Sequence, residues 1–191
     1  MATQVSLLSG AVASAGSLKL QSNGTTDAVT IDTSQNVGIG TSSPSVQLHL
    51  QSSAPVIRLT DTSASTDAEI YCNSAAGSLY LRADHTNVAA SSLIGFQIDG
   101  SDKMTLDTSG NLGLGVTPSA WGAAYKMLQA GTGASFGSTS SITIIGQNYY
   151  NDGSSKYIGT GNATLYLQQS GQHQFYTAGS GTAGNAITFT Q

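Results

Sequence analysis

The chain has 191 residues, a net charge of −4 and only 8% charged residues. Leu, Ile, Val and Phe supply 39 residues, about a fifth of the chain, which is little for a globular core of this length. The six Lys and Arg residues are scattered singly and form no basic stripe, which argues against nucleic acid as a partner. Because disorder requires a stronger charge bias, this composition predicts strands and turns whose core is shared among identical copies.

Residues 1–24 form the first predicted segment. Its first 16 residues are mildly apolar, but no Lys or Arg precedes Lys19, and Ser6, Ser9 and Gly10 interrupt the apolar run. This pattern does not suit a signal peptide. No run in the chain approaches the roughly 20 apolar residues that span a bilayer, so we expect no membrane insertion. We expect residues 1–24 to anchor the chain to another protein.

An internal repeat organises the rest of the chain. Residues 30–40 read Thr-Ile-Asp-Thr-Ser-Gln-Asn-Val-Gly-Ile-Gly, and residues 105–115 read Thr-Leu-Asp-Thr-Ser-Gly-Asn-Leu-Gly-Leu-Gly. Seven of the eleven positions are identical at an offset of 75 residues, and three of the four differences exchange Ile or Val for Leu. Fixed-period similarity of this kind marks repeated structural units. We therefore predict a first β module at residues 25–104 and a second at residues 105–191.

Each repeat predicts a β-hairpin. Asp, Ser and Asn supply turn chemistry, and the returning strand alternates aliphatic residues with glycine. Glycines on one strand face allow another backbone to approach closely, as three chains meeting at an axis would require. An ordinary hairpin with incidental glycines is the alternative. The residues predicted to lie at a trimer axis are Ile31, Val37, Gly38, Ile39, Gly40, Leu106, Leu112, Gly113, Leu114 and Gly115.

Strand patterns dominate between and after the repeats. Apolar and polar residues alternate at 46–50, 79–82, 94–99 and 165–168, and turn clusters at 73–77, 99–102 and 151–154 separate them. One stretch, residues 119–129, has Trp121, Tyr125 and Leu128 at helical spacing and could form a short helix. Its Trp121 is expected to fill a core. The fold class predicted is therefore all-β, with short strands and hairpins and at most one short helix.

The residues that could carry chemistry do not form a recognisable site. Residues 133–137 match Gly-x-Ser-x-Gly, but a nucleophile elbow requires a strand before the serine and a helix after it, and no helical pattern follows. His49, His85 and His173 lack metal-ligand spacing, although a three-fold axis could gather copies of one of them. Cys72 suits a half-buried strand position. We predict no catalytic residue, no cofactor and no metal within one chain.

The repeats carry a resemblance to a known family. Residues 32–44 and 107–118, followed by 118–129, 149–158 and 180–191, resemble the repeat and an accompanying segment of tail-fibre and other virion fibre proteins of tailed bacteriophages. The resemblance implies an elongated β-rich homotrimeric fibre on the virion, bound to another virion protein through residues 1–24. Residues 186–190 resemble residues 28–33 and could begin a third repeat.

The resemblance also implies attachment to the host surface, with a surface glycan as the candidate receptor. The predicted contact residues form an aromatic and polar cluster near turns, with strand packing as the alternative role: Tyr149, Tyr150, Asn151, Asp152 and Tyr157. Two other functions stay open. One is a capsid-decorating or collar fibre with a purely structural role. The other is a polysaccharide-degrading tailspike, for which Asp67 with Glu69 or Asp99 with Asp102 are candidate carboxylate pairs.

Overall fold

A computed structural model of the chain describes residues 16–21, 27–73 and 77–191. Within these ranges the protein is all-β, with 17 strands and no helix. The strands are β1 (Leu18–Gln21), β2 (Asp27–Ile31), β3 (Val37–Ile39), β4 (Leu48–Leu50), β5 (Val56–Asp61), β6 (Thr66–Asn73), β7 (Ser78–Ala83), β8 (Leu93–Ile98), β9 (Ser101–Asp107), β10 (Leu112–Leu114), β11 (Lys126–Ala130), β12 (Ala134–Ser138), β13 (Ile142–Gln147), β14 (Tyr150–Asn151), β15 (Ser155–Lys156), β16 (Gly161–Gln169) and β17 (Gln172–Gly181). The described residues include no helix long and apolar enough to cross a membrane.

The strands form four sheets. One is four-stranded in the order β1-β2-β3-β4, one is three-stranded in the order β5-β6-β7, and β14 pairs with β15. The largest has eight strands in the order β17-β16-β13-β12-β11-β10-β9-β8. The chain divides into two compact units, Met1–Arg58 with Glu69–Tyr80 and Leu59–Ala68 with Leu81–Gln191. The predicted anchoring segment lies outside the described residues except for 16–21, where β1 pairs with β2, and the predicted turn at 73–77 lies outside them at 74–76.

Strands β1–β4 and β8–β11 are two copies of one four-strand module. In both, an antiparallel pair leads to a tight hairpin, and the last two strands are parallel. The register also agrees: Thr30 faces Gly38 in the first module, and Thr105 faces Gly113 in the second. Even the irregularity is shared, at Leu20/Gln21 and Phe96/Gln97. The sequence repeat of eleven residues thus lies within a larger structural repeat.

The hydrophobic core of the second unit lies on one face of the eight-stranded sheet. Its buried members are Trp121, Met127, Ile144, Tyr149, Tyr157, Ala163, Leu165 and Ile187. Glycines on this face leave room for them, since a Cβ on Gly146 would lie 2.9 Å from Tyr149 Cδ1. Trp121 fills the core as predicted, and its ring packs edge-on against Tyr149. All eight buried residues come from the second unit.

The helix considered for residues 119–129 is wrong. Residues 119–125 form an irregular crossover, and 126–130 form β11 between β10 and β12. Gln129 explains the difference, because its buried Oε1 accepts hydrogen bonds from the Ser119 backbone N–H (2.9 Å) and from Trp121 Nε1 (3.3 Å). Trp121 and Leu128 would share a helix face, but only Trp121 belongs to the core cluster. Ladder pairing with two strands outweighs the local spacing.

Residues 186–190 differ from the β2 segment that they resemble. They form two isolated bridges, Lys156 with Ala186 and Thr177 with Thr190, rather than a strand. Ile187 is buried in the core, and its backbone N–H donates to Ser155 O at 2.8 Å. In this chain the segment closes the core of the second unit.

Candidate interaction surfaces

The turn of each repeat is held by one aspartate. Asp32 Oδ1 accepts hydrogen bonds from the backbone N–H groups of Ser34 and Asn36, both at 2.8 Å, and Oδ2 accepts one from Asn36 Nδ2 at 3.1 Å. Asp107 makes the same three bonds at 2.9, 2.8 and 3.1 Å. These bonds favour the ionised carboxylate and lower the pKa of Asp32. The matching geometry shows why Asp and Asn recur at this spacing.

The glycines of the repeat do not form an open face. A Cβ on Gly38 would lie 2.6 Å from Thr41 O, and one on Gly113 would lie 2.0 Å from Val116 O. Both glycines are buried beneath the crossover that leads to Pro44 or Pro118 in the same chain. The backbone that approaches closely is therefore this chain's own. The prediction that Gly38 and Gly113 face a trimer axis is corrected on this point.

The opposite face of each module is largely apolar, with Lys126 at the start of β11 as a charged residue on it. Because paired residues in register share a face, eight side chains lie together in each module. They are Leu18, Leu20, Val29, Ile31, Val37, Ile39, Leu48 and Leu50 in the first module, and Ile94, Phe96, Met104, Leu106, Leu112, Leu114, Leu128 and Ala130 in the second. None of the sixteen is buried. We call this surface the aliphatic face of the module.

Four residues predicted for the trimer axis lie on the aliphatic face and are exposed to solvent. Ile31, Ile39, Leu106 and Leu114 are each between 37% and 43% exposed. The buried side of the modules holds mostly small or polar groups, including Thr30, Thr105 and Gln129, with Met127 of the second module as an apolar exception. Each module is thus inverted relative to a soluble sheet, which puts its apolar side inward. Gly40 and Gly115 follow the strands in turns at φ 75° and 65°.

The predicted receptor cluster is mostly inaccessible. Tyr149 and Tyr157 are buried in the core, so their rings cannot reach a receptor, and the alternative role in packing applies to them within a single chain. Burial raises the pKa of Tyr149 to about 12. Tyr150 is half-buried, with its ring 6.2 Å from that of Trp121. Of the five predicted residues, only Asp152 is exposed, and Lys156 Nζ lies 2.5 Å from its carboxylate.

Ser135, the centre of the Gly-x-Ser-x-Gly match, is a structural residue. It lies within β12 rather than on a turn, and its buried Oγ donates to the carbonyl oxygen of Tyr149 at 3.2 Å. A nucleophile needs an exposed oxygen beside a base. The match therefore reflects strand packing.

The remaining candidates are also dispersed. Ser45 N–H donates to His49 Nδ1 (3.3 Å), Arg82 Nη1 lies 3.1 Å from His85 Nδ1, and His173 Nδ1 contacts the Tyr166 hydroxyl. No group of three metal-ligating side chains occurs among residues 16–21, 27–73 and 77–191.

The four carboxylates considered for glycan cleavage form hydrogen bonds or ion pairs within the fold, or lie in a turn. Asp67 accepts a hydrogen bond from the His85 backbone N–H at 3.0 Å, and the buried carboxylate of Glu69 forms an ion pair with Arg58. Asp102 accepts Gln97 Nε2 at 2.8 Å, and Asp99 lies in the β8–β9 turn at φ 51°. None of these contacts resembles a carboxyl pair facing a cleft.

Cys72 is a free, half-buried residue on β6, as its sequence context predicted. It lines an apolar groove of about 290 Å³ in the first unit, together with Leu48, Leu50, Ile57 and Ile70. The first unit therefore exposes apolar surface beyond its four-strand module.

Comparison with known proteins adds no assignment. No family model matches the chain, and no curated protein matches its sequence. The features of the chain that bear on its function are therefore the repeat and the exposed aliphatic faces.

Proposed function

We propose that this chain is a structural segment of a homotrimeric fibre on the virion of a tailed bacteriophage, and that the fibre takes part in attachment to the host surface. The observation that carries the proposal is the aliphatic face of both modules. A monomer rarely leaves contiguous apolar patches beyond a few hundred Å² in water. Burial of that face against further copies would recover about 25 cal/mol for each Å² removed from water.

The resemblance of the repeats to virion fibre proteins supports the location and the trimer. The structure of the repeat supports a mechanical role, because hydrogen bonds from backbone N–H groups to Asp32 and Asp107 brace its turns. Two further copies of the chain are the main partners. Another virion protein would bind the segment of residues 1–24.

Two experiments test the proposal. Sedimentation equilibrium of the purified chain should give three times the 19.4 kDa chain mass, and a mass of one chain would refute the trimer. Immunogold labelling of intact particles should place the chain on a tail or capsid appendage. Labelling confined to infected-cell lysate, with bare particles, would refute the fibre assignment.

Host attachment is tested separately through the β14–β15 hairpin. Purified protein should compete with particles for adsorption to cells, and Asp152→Ala with Asn151→Ala should reduce that competition. Thr60→Ala, on the exposed strand β5, serves as a matched surface control. Competition that is lost only in the hairpin variant supports contact of the hairpin with the host surface. A wild-type protein that does not compete would leave the fibre a purely structural role, as a collar or capsid fibre would have.

A further inference from the structure

One unbroken row of apolar side chains crosses all eight strands of the large sheet, on the face opposite the core. Each residue pairs in register with the next. The row, which we call the outer row, consists of Ile94, Leu106, Leu112, Leu128, Phe136, Ile145, Tyr166 and Phe175. Since strands lie about 4.8 Å apart, it is roughly 34 Å long.

The chain itself does not cover the outer row. Phe136 is 54% exposed, Ile145 51% and Phe175 69%. A whole aromatic side chain carries roughly 200 Å², so Phe136 and Phe175 alone present roughly 250 Å² of apolar surface. Tyr166 is held in place, because its ring packs 4.8 Å from that of Phe175 and its hydroxyl accepts Gln168 Nε2 at 3.0 Å.

The neighbours of the outer row change along the sheet. On β8–β11 the next row is also apolar: Phe96, Met104, Leu114 and Ala130. On β12–β17 the row continues between two mostly polar rows, Ser138, Thr143, Gln168 and His173 on one side and Ala134, Gln147, Thr164 and Thr177 on the other. Two sheets stacked face to face need a broad apolar surface. A single apolar row with polar margins instead suits sheets that converge along a line.

From this geometry we infer that the outer row is the surface that binds further copies of this chain, and that the outer rows of the copies converge along one line. The inference rests on the trimer proposed above and specifies which residues form its interface. A footprint three residues wide covers roughly 700 Å², close to the roughly 800 Å² per partner of a standard interface. The eight flanking residues on β12, β13, β16 and β17 include no Lys, Arg, Asp or Glu, so two identical surfaces can meet along these strands without like-charge repulsion. Lys126, beside Leu128 on β11, is a charged residue that borders the row.

Introduction of a charge into the row tests the inference. Ile145→Asp places a carboxylate at the middle of the row, and Gln147→Asp places one on the same strand and face, in a polar margin. Sedimentation equilibrium should show a loss from three chains to one for Ile145→Asp and no change for Gln147→Asp. A trimeric Ile145→Asp protein with a native circular dichroism spectrum would overturn the interface and leave the trimer standing. A monomeric wild-type chain would overturn both.

Cysteine cross-linking gives a second readout that does not depend on the stability of the aspartate variant. In a Cys72→Ala background, Phe175→Cys should form a disulfide-linked dimer on mild oxidation, because equivalent residues of different copies lie beside one another along the line. Asp152→Cys, on the exposed hairpin, is the control and should remain uncoupled. Equal coupling of both variants, or of neither, would overturn the inference.

Discussion

Replacing Gly113 by Ala tests the placement of the glycine side of the module beneath its own crossover. The new Cβ would lie 2.0 Å from Val116 O, about 1 Å closer than real Cβ contacts allow, and 2.9 Å from both Pro118 Cδ and Thr105 Oγ1. The φ of Gly113 is not positive, so the cost comes from this contact and not from backbone strain. Overpacking of this kind costs about 1–3 kcal/mol, and the backbone contact puts Gly113→Ala near the upper end.

The same change in the first module should cost less. A Cβ on Gly38 meets Thr41 O at 2.6 Å, so the crossover needs to retreat by only about 0.4 Å. We therefore expect Gly113→Ala to lower the Tm by roughly 6–10 °C and Gly38→Ala by roughly half as much, given about 2–4 °C for each kcal/mol in a chain of this length. Gly133→Ala is the control, because a Cβ there meets nothing within 4 Å and its φ is not positive.

Thermal unfolding at a fixed protein concentration measures these effects. The fluorescence of Trp121, the single tryptophan, reports on the second unit, and far-ultraviolet circular dichroism reports on the strands of the whole chain, so a first-unit transition appears in circular dichroism without a change in fluorescence. The reasoning is refuted if Gly113→Ala melts with the Gly133→Ala control. If the glycines instead lay at the axis between copies, Gly113→Ala would reduce the molar mass in solution. We expect that mass to stay unchanged.

Three further predictions concern the turns, the crossover and the repeat. Hydrogen bonds depress the pKa of Asp32, so the ionised carboxylate stabilises the folded state fully above the unfolded pKa of about 3.9, and this stabilisation is lost as the pH falls through the lower folded pKa. Asp32→Asn should therefore flatten the fall in Tm below pH 4. An unchanged profile of Tm against pH would contradict this. Gln129→Ala leaves Trp121 Nε1 and the Ser119 N–H without their acceptor. The free energy of unfolding measured by urea titration should fall by about 1–3 kcal/mol. A loss below about 0.5 kcal/mol would count against the role of Gln129. Deletion of residues 33–107, one full repeat, joins two equivalent turn positions and should leave a protein with native Trp121 emission, while emission typical of exposed tryptophan would show that the modules are not interchangeable.

Local patterns in the sequence were sufficient for the strands and the turn. Alternation at 94–99 and 165–168 predicted β8 and part of β16, because strand periodicity depends on neighbouring residues. The Asp-Thr-Ser-x-Asn spacing predicted the hairpin for the same reason. The predicted third repeat at 186–190 differs from β2 because its residues bridge to β15 and β17 instead.

Non-local contacts account for what the sequence could not predict. Burial of Tyr149 depends on Asn148, at φ 54°, whose side chain bonds to Gly159 N–H and to the carbonyls of Gly161 and Asn162. Gly38 and Gly113 each contact the crossover that connects two parallel strands of their module. The sequence around each glycine does not indicate that these two strands pair. Interpretation of the glycines as an axial face required knowledge of what lies above them.

The two crossovers differ in length although the strands that they connect are arranged in the same way. Eight residues separate β3 from β4, whereas eleven separate β10 from β11, and the parallel register is equivalent in both. Only the longer crossover carries Trp121 and Tyr125, which tie the second module to the extended sheet. The module thus behaves as a constant backbone frame with one variable insert. Changes to that insert would alter what each module docks against while the hairpin, its turn and the aliphatic face stay in place.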